Sequence, residues 1–148
     1  MIKKDGQPAA DSKQVRVAIA QSAPVYLDKQ ASLAKALDLI GQAAKRGAQL
    51  VAFGEIWLSG YPAWLDVCPG AALWESGFAK DVFARLRPNS IVVPGEEVNA
   101  LREAARDLKI AIVIGVNERV DSGPGNGTLY NSLLTISGDG HLGNHHRT

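Results

Sequence analysis

The chain has 148 residues, 46% of them apolar and 21% charged, which is the length and balance of one globular domain of about 100–200 residues. With 16 Lys and Arg against 15 Asp and Glu and no basic block, it lacks the charge expected of a protein that binds nucleic acid or an anionic membrane. The single Cys68 excludes an internal disulfide, and the lack of both an apolar run of about 18 residues and an N-terminal signal predicts a cytoplasmic protein.

The first part of the chain predicts a polar tail followed by a strand, a helix and a second strand. Residues 1–14 mix Gly, Pro, Lys and Asp without periodicity, which indicates a flexible tail. Val15–Gln21 is β-branched and almost all apolar, as expected of a core strand covered on both faces. Asp28 is placed to cap a helix whose apolar stripe is Leu33, Leu37, Ile40 and Ala44. Gln49–Phe53 then predicts a second short buried strand, parallel to the first.

The rest of the chain predicts a loop, two helices and an antiparallel hairpin. Gly54–Gly70 is rich in Gly, Pro and Trp, which suits an ordered loop. Helices are predicted over Glu96–Leu108 and over Ala71–Leu86, the latter with an apolar face of Trp74, Phe78, Val82 and Leu86. Strands are predicted over Ile110–Val120 and Thr128–Ile136, and a further strand follows the Gly138–Gly140 turn.

Glu55 is the strongest candidate for a functional residue. It follows an apolar strand directly, and ligands of parallel sheets gather at the carboxyl ends of the strands. A poorly solvated carboxylate there has a raised pKa and can accept a proton from a nucleophile at working pH. From position alone, a loop glutamate that pairs with an arginine or caps the next helix is an open alternative.

The residues around Glu55 carry a family resemblance. The stretch Gly47–Pro62 (GAQLVAFGEIWLSGYP) resembles the glutamate signature of the nitrilase family of carbon–nitrogen hydrolases. The resemblance extends over the further segments Val15–Pro24, Tyr130–Leu133, Gly138–Gly140 and His145–Arg147. It implies an α/β fold, the α-β-β-α four-layer sandwich of that family, with residues 15–148 as a truncated N-terminal half. The Pro62-Ala63-Trp64 corner and the His-His-Arg tail favour the nitrile-hydrolysing branch over the amidase branch.

The resemblance also implies a chemistry. Such a site holds a Glu-Lys-Cys triad and needs no metal or organic cofactor. The thiolate attacks a small organic nitrile, or an amide in other branches, and forms a thioimidate. Water then adds, ammonia leaves, and the acyl thioester is hydrolysed to the carboxylic acid. Glu55 corresponds to the general base of this scheme.

The other two members of the triad have no counterpart in these 148 residues. The family's lysine is expected directly after His-Arg, where Thr148 stands, and a threonine carries no cation. The family's cysteine is expected farther along the chain, and Cys68 lacks the context of that nucleophile. We therefore expect the chain to be inactive alone and to act as a homo-oligomer or with a complementary C-terminal half. A non-catalytic assembly or binding module built on the same fold is the alternative.

Three weaker features have plain structural explanations. Trp57, Tyr61 and Trp64, with Trp74, could form the wall of an apolar substrate pocket or belong to the core. The histidines His141, His145 and His146 lack the spacing of a metal site, so we predict none. The glycines of the 123–127 segment suit a hairpin connection and no phosphate loop, because no Lys-Ser/Thr and no helix follow them.

The isolated half also raises an expectation about behaviour in solution. Without the family's second half, strands such as Ile110–Val120 or Thr128–Ile136 would keep unpaired or uncovered surfaces. We therefore expect poor solubility or self-association of the isolated chain.

Overall fold

The computed structural model describes residues 14–63, 67–68, 70, 73 and 76–147. Its helices and strands are, in chain order, β1 (Val17–Ile19), α1 (Lys29–Lys45), β2 (Leu50–Ala52), α2 (Gly77–Leu86), α3 (Glu96–Leu108), β3 (Ala111–Arg119), β4 (Leu129–Ile136) and β5 (Leu142–Arg147). The predicted tail falls almost wholly on residues 1–13, outside the described part. Within that part, no helix is long and apolar enough to cross a lipid bilayer.

The strands form one mixed sheet in the order β1-β2-β3-β4-β5. Strand β2 is parallel to both β1 and β3, while β4 is antiparallel to both β3 and β5. The predicted parallel opening and the predicted hairpin are both confirmed. A short 3-10 turn, Gly123–Gly125, lies in the hairpin connection, where the predicted glycine-rich segment reverses the chain.

The core lies between one face of this sheet and the helices α1 and α3. Alternate residues of β3 and β4 point into it and are fully buried, namely Ile112, Ile114, Leu134 and Ile136. The helices contribute buried residues at helical spacing, namely Ala36, Ile40, Val98, Leu101 and Ala105. The two helices therefore cover the same face of the sheet.

Local signals set the ends of the helices. The Asp28 carboxylate accepts a hydrogen bond from the Ala31 backbone N–H at 2.9 Å, as the sequence predicted for the start of α1. Helix α3 has the predicted bounds. Helix α2 differs from the prediction, since it begins at Gly77 rather than Ala71, with the Ser76 side chain as its cap. Among the described residues of its predicted apolar face, Phe78, Val82 and Leu86, none is buried, and Phe78 is 46% exposed.

The prediction that β1 is covered on both faces is wrong. Val17 is 52% exposed and Ile19 is 81% exposed, because the helices cover only the opposite face of the sheet. Leu133 on β4 points to the same uncovered side and is 43% exposed. We call this side, marked by Val17, Ile19 and Leu133, the open face. An apolar run shows that a strand is buried in some context, but it does not identify which layer of the fold covers it.

Candidate active site

Glu55 lies on the turn that follows β2, at the carboxyl end of a parallel strand. Phe53 continues the strand for one residue by donating its backbone N–H to the Val113 carbonyl at 2.8 Å. The chain then turns sharply, and Ile56 adopts a φ of 48°, in the left-handed region. The sequence predicted that the Glu55 carboxylate is poorly solvated. That prediction is wrong, since Glu55 is exposed among the residues that the structure describes.

The turn rests directly on Gly115 of β3. A Cβ atom at residue 115 would lie 2.5 Å from the Ile56 nitrogen, 2.6 Å from the Gly54 carbonyl oxygen and 2.8 Å from Glu55 Cα. All three are backbone atoms that cannot rotate away. The Leu58 N–H also donates to the Gly115 carbonyl at 3.3 Å. A glycine is therefore needed on β3 for the Glu55 turn to reach this position.

Asn131 is the neighbour of Glu55 in space. Its Nδ2 donates to Glu55 Oε1 at 2.5 Å, across 76 residues of sequence. Asn131 reaches this place because β4 pairs with β3 in a register that sets it opposite Asn117. The sequence offered one signal, the Tyr130–Leu133 resemblance, but no role was assigned to the asparagine. Within the described residues Glu55 forms no ion pair. The geometry therefore does not support the alternative in which Glu55 is a loop glutamate paired with an arginine.

The loop after Glu55 is tied to the loop between β1 and α1. Trp57 Nε1 donates to the Ser22 carbonyl at 2.6 Å. The Tyr26 hydroxyl donates to the Tyr61 carbonyl at 2.5 Å, and its ring lies so close to Gly60 that an added Cβ would be 2.6 Å from a ring atom. Partial burial raises the pKa of the Tyr26 phenol, against the opposing effect of a backbone hydrogen bond with Ala63. These contacts hold the Glu55 loop against β1.

The aromatic residues predicted near Glu55 have different environments. Trp57 is 5% exposed and packs edge-to-face on Phe53, with ring centroids 4.9 Å apart, as part of the core. Tyr61 is 49% exposed beside the turn. Trp64 and Trp74 lie outside the described residues. Of the predicted pocket wall, the structure therefore describes one core residue and one surface residue.

The cysteine and histidines are spread through the described part of the chain. Cys68 is a free thiol of intermediate exposure. His141 follows the turn before β5, and His145 lies on β5, while the side chain of His146 is outside the description. No group of three His, Cys, Asp or Glu side chains in the described ranges is arranged to hold a metal ion.

A sequence model of the carbon-nitrogen hydrolase family matches residues 16–148. The chain belongs to this family. It is 41% identical over 135 residues to "Nitrilase 2" of an unknown prokaryotic organism, covering 90% of this chain and 40% of that protein. It is 35% identical over 129 residues to an arylacetonitrilase of Aspergillus oryzae, covering 87% and 35%. A cyanide hydratase of Armillaria gallica is 32% identical over 140 residues, covering 93% and 36%. The chain thus spans about two fifths or less of the length of these curated relatives.

Solved structures agree with the fold. An amidase from Nesterenkonia sp. aligns with a TM-score of 0.56 at 22% identity, over 90% of this chain and 42% of that one. A mutant of the Nesterenkonia AN1 amidase aligns with a TM-score of 0.58 at 23% identity, again over 90% and 42%. The predicted fold class, an N-terminal half of the nitrilase-type sandwich, is confirmed.

Proposed function

We propose that this chain carries the general base of a nitrile-hydrolysing active site, and that the base is Glu55. The observation that supports this most strongly is the position of the carboxylate. It stands at the carboxyl end of β2, on a turn fixed by Gly115, with one oxygen held by the neutral Asn131 amide at 2.5 Å. A neutral donor orients a carboxylate without neutralising it, so Glu55 keeps its capacity to accept a proton.

The reaction proposed for the complete site converts a nitrile and water to a carboxylic acid and ammonia. Glu55 takes the thiol proton as the sulfur attacks the nitrile carbon, and it later returns protons to the departing nitrogen. A lysine stabilises the charge that develops on nitrogen. Because the relatives named nitrilase and arylacetonitrilase are 35–41% identical, we favour a nitrile over an amide as substrate. The likeness to amidases, at 22–23% identity, concerns the fold alone.

The resemblance to the family, together with the end of β5, supports a place for the lysine. Ser132 pairs with Arg147 in the antiparallel β4–β5 ladder. In the resemblance the lysine directly follows His-Arg, so its place is the position after Arg147. That position is Thr148, which lies outside the described residues. We propose that a cation is required there and that Thr148 does not supply it.

We further propose that the nucleophilic cysteine and a second sheet come from polypeptide other than these residues. The cysteine would belong to a complementary C-terminal half, and the second sheet to that half or to an associated copy. The open face supports a partner layer, because Ile19 is 81% exposed on it and Val17 is 52% exposed. The same observation supports the alternative function, an assembly module without catalysis of its own.

We also propose a cytoplasmic location and a division of the chain into a tail, 1–14, and a hydrolase domain, 15–148.

An assay of the 148-residue polypeptide on aliphatic and aromatic nitriles tests the assignment of roles. We expect no release of ammonia from the chain alone, because a general base without a nucleophile cannot form the thioimidate. A matched pair of variants makes the result decisive. Turnover that is lost in Glu55→Gln yet persists in Cys68→Ala would contradict the proposal that the nucleophile comes from elsewhere.

A further inference from the structure

A second group of polar side chains lies on the core side of the sheet, opposite the face that carries Glu55. Glu118 and Ser132 are each 1% exposed. The Ser132 hydroxyl donates to Glu118 Oε2 at 2.8 Å, and His145 Nε2 lies 2.5 Å from the same oxygen. The His145 side chain is 22% exposed. We call Glu118, Ser132 and His145 the buried cluster.

The buried cluster joins three neighbouring strands. Glu118 is on β3, Ser132 is on β4 and His145 is on β5. Removal of a carboxylate from water is costly unless hydrogen bonds or an opposite charge compensate it. The positions of the Ser132 hydroxyl and the His145 ring are therefore tightly constrained by Glu118. The cluster adds a side-chain connection across the ladders that backbone hydrogen bonds already form.

The cluster is linked to the Glu55 site through β4. Asn131 and Ser132 are adjacent, and successive side chains of a strand point to opposite faces of the sheet. When Ser132 bonds Glu118 on the core side, Asn131 must point to the side of Glu55. Ser132 also pairs with Arg147 on β5, so the cluster fixes the end of β5 as well.

We propose that Glu118 is a positioning residue for the Glu55 site. Through Ser132 and His145 it holds β4 and β5 against β3, and it thereby keeps the Asn131 amide on the Glu55 carboxylate. Glu118 lies on the core side of the sheet, opposite to Glu55, and acts through these two strands. This inference rests on the proposed function, since the Glu55–Asn131 contact matters for catalysis only if Glu55 is the base.

Nuclear magnetic resonance of the 148-residue chain tests the proposal without any turnover. The resonance of the Asn131 side-chain amide in the native chain is compared with that in Glu55→Gln, which defines the signature of the contact. In Glu118→Gln we expect the Asn131 resonance to move toward the Glu55→Gln position. We also expect the amides of β4 and β5 to exchange with solvent at least tenfold faster. The Phe53 amide, bonded to Val113 at 2.8 Å on the other side of β3, should keep its exchange rate.

A paired variant distinguishes positioning from general damage. His145→Gln placed in the Glu118→Gln background replaces both partners by neutral side-chain amides that can bond each other. We expect this double variant to regain the native Asn131 resonance, because replacing both partners avoids an unpaired buried group. Glu103→Gln, an exposed position on α3, is the matched control and should change neither readout.

An unchanged Asn131 resonance and unchanged β5 exchange in Glu118→Gln would overturn the proposal. If the Phe53 amide also exchanges faster in Glu118→Gln, the whole chain is unfolding. The Ser132→Ala variant then tests the proposal instead, since it removes only one hydroxyl. A shifted Asn131 resonance in Ser132→Ala supports the proposal, and a native one overturns it. Failure of the proposed function is a separate result, because it would leave a complete enzyme inactive or independent of Glu55 while the Asn131 signature stays intact.

Discussion

Gly115 is the residue on which the geometry of the candidate site depends most directly. We predict that Gly115→Ala destabilises the chain by about 1–3 kcal/mol, because the new methyl group would overlap the backbone of the Glu55 turn. It should also separate Glu55 from Asn131, which now donates to it at 2.5 Å. Denaturant unfolding measures the first effect, and the Asn131 amide resonance reports the second.

The control for that substitution is Gly41 in α1. A Cβ there would meet nothing within 4 Å, so Gly41→Ala should stabilise the chain by about 0.5–1 kcal/mol through helix propensity. Equal effects at the two glycines would contradict the account of the Glu55 turn.

At the residue level, the sequence indicated Glu55 as a candidate but not the asparagine that contacts it. Glu55 could be proposed because its strand, turn and neighbours lie together in one continuous segment. Asn131 was missed because its contact spans 76 residues and depends on strand register. Hydrophobic patterns specify which face of a strand is buried, but they do not specify which residue of a distant strand stands opposite.

An ion pair between two helices gives the fold a specific dependence on pH. Lys29 Nζ lies 2.8 Å from Glu97 Oε1, where α1 and α3 begin, and the Glu97 side chain is 8% exposed. Burial alone raises the pKa of Glu97, but the hydrogen bond from Lys29, a backbone hydrogen bond and the charges of Lys29 and Arg119 together hold that pKa below its ordinary value. Because the folded pKa is lowered, this contribution is present above the unfolded value of about 4.3 and is lost as pH falls through the folded pKa.

We therefore predict that Glu97→Gln loses about 1–3 kcal/mol of stability at neutral pH and shows a flatter loss of stability in acid. The measurement is the free energy of unfolding between neutral and acidic pH. Glu103→Gln, at an exposed position of the same helix, should leave the acid dependence as in the native chain. If the free energy of unfolding of Glu97→Gln depends on pH as in the native chain, the Lys29–Glu97 pair is not the source of the acid dependence.

Elements were predictable where local chemistry fixes them. Helix α3 has the predicted bounds because acidic residues in its first turn and an apolar stripe act together. Helix α2 begins later than predicted because Ser76 caps it, and composition alone did not distinguish this cap from the apolar residues before it. The exposure of β1 could not be derived from its sequence. Whether the open face of β1 is covered depends on a second layer, which the described residues do not form.

At the scale of the whole molecule, the open face predicts self-association of the isolated chain. Sedimentation at two concentrations should show mass that rises with concentration, because apolar side chains such as Ile19 are uncovered. Ile19→Lys should reduce this association. Leu108→Lys is the matched control, because Leu108 is also apolar and 41% exposed but lies at the end of α3, away from the open face. A concentration-independent monomer would contradict the predicted self-association.

The most direct measurement of the central claim uses a chimera. In it, residues 15–148 replace the matching segment of Nitrilase 2, which supplies the rest of a complete chain and is 41% identical to this one over 135 residues. With Thr148→Lys, we predict ammonia release from a nitrile that Nitrilase 2 hydrolyses. Adding Glu55→Gln should lower kcat by about 10²–10⁴-fold, and adding Cys68→Ala should leave kcat unchanged. A folded chimera whose turnover does not depend on Glu55 would contradict the assignment of the general base.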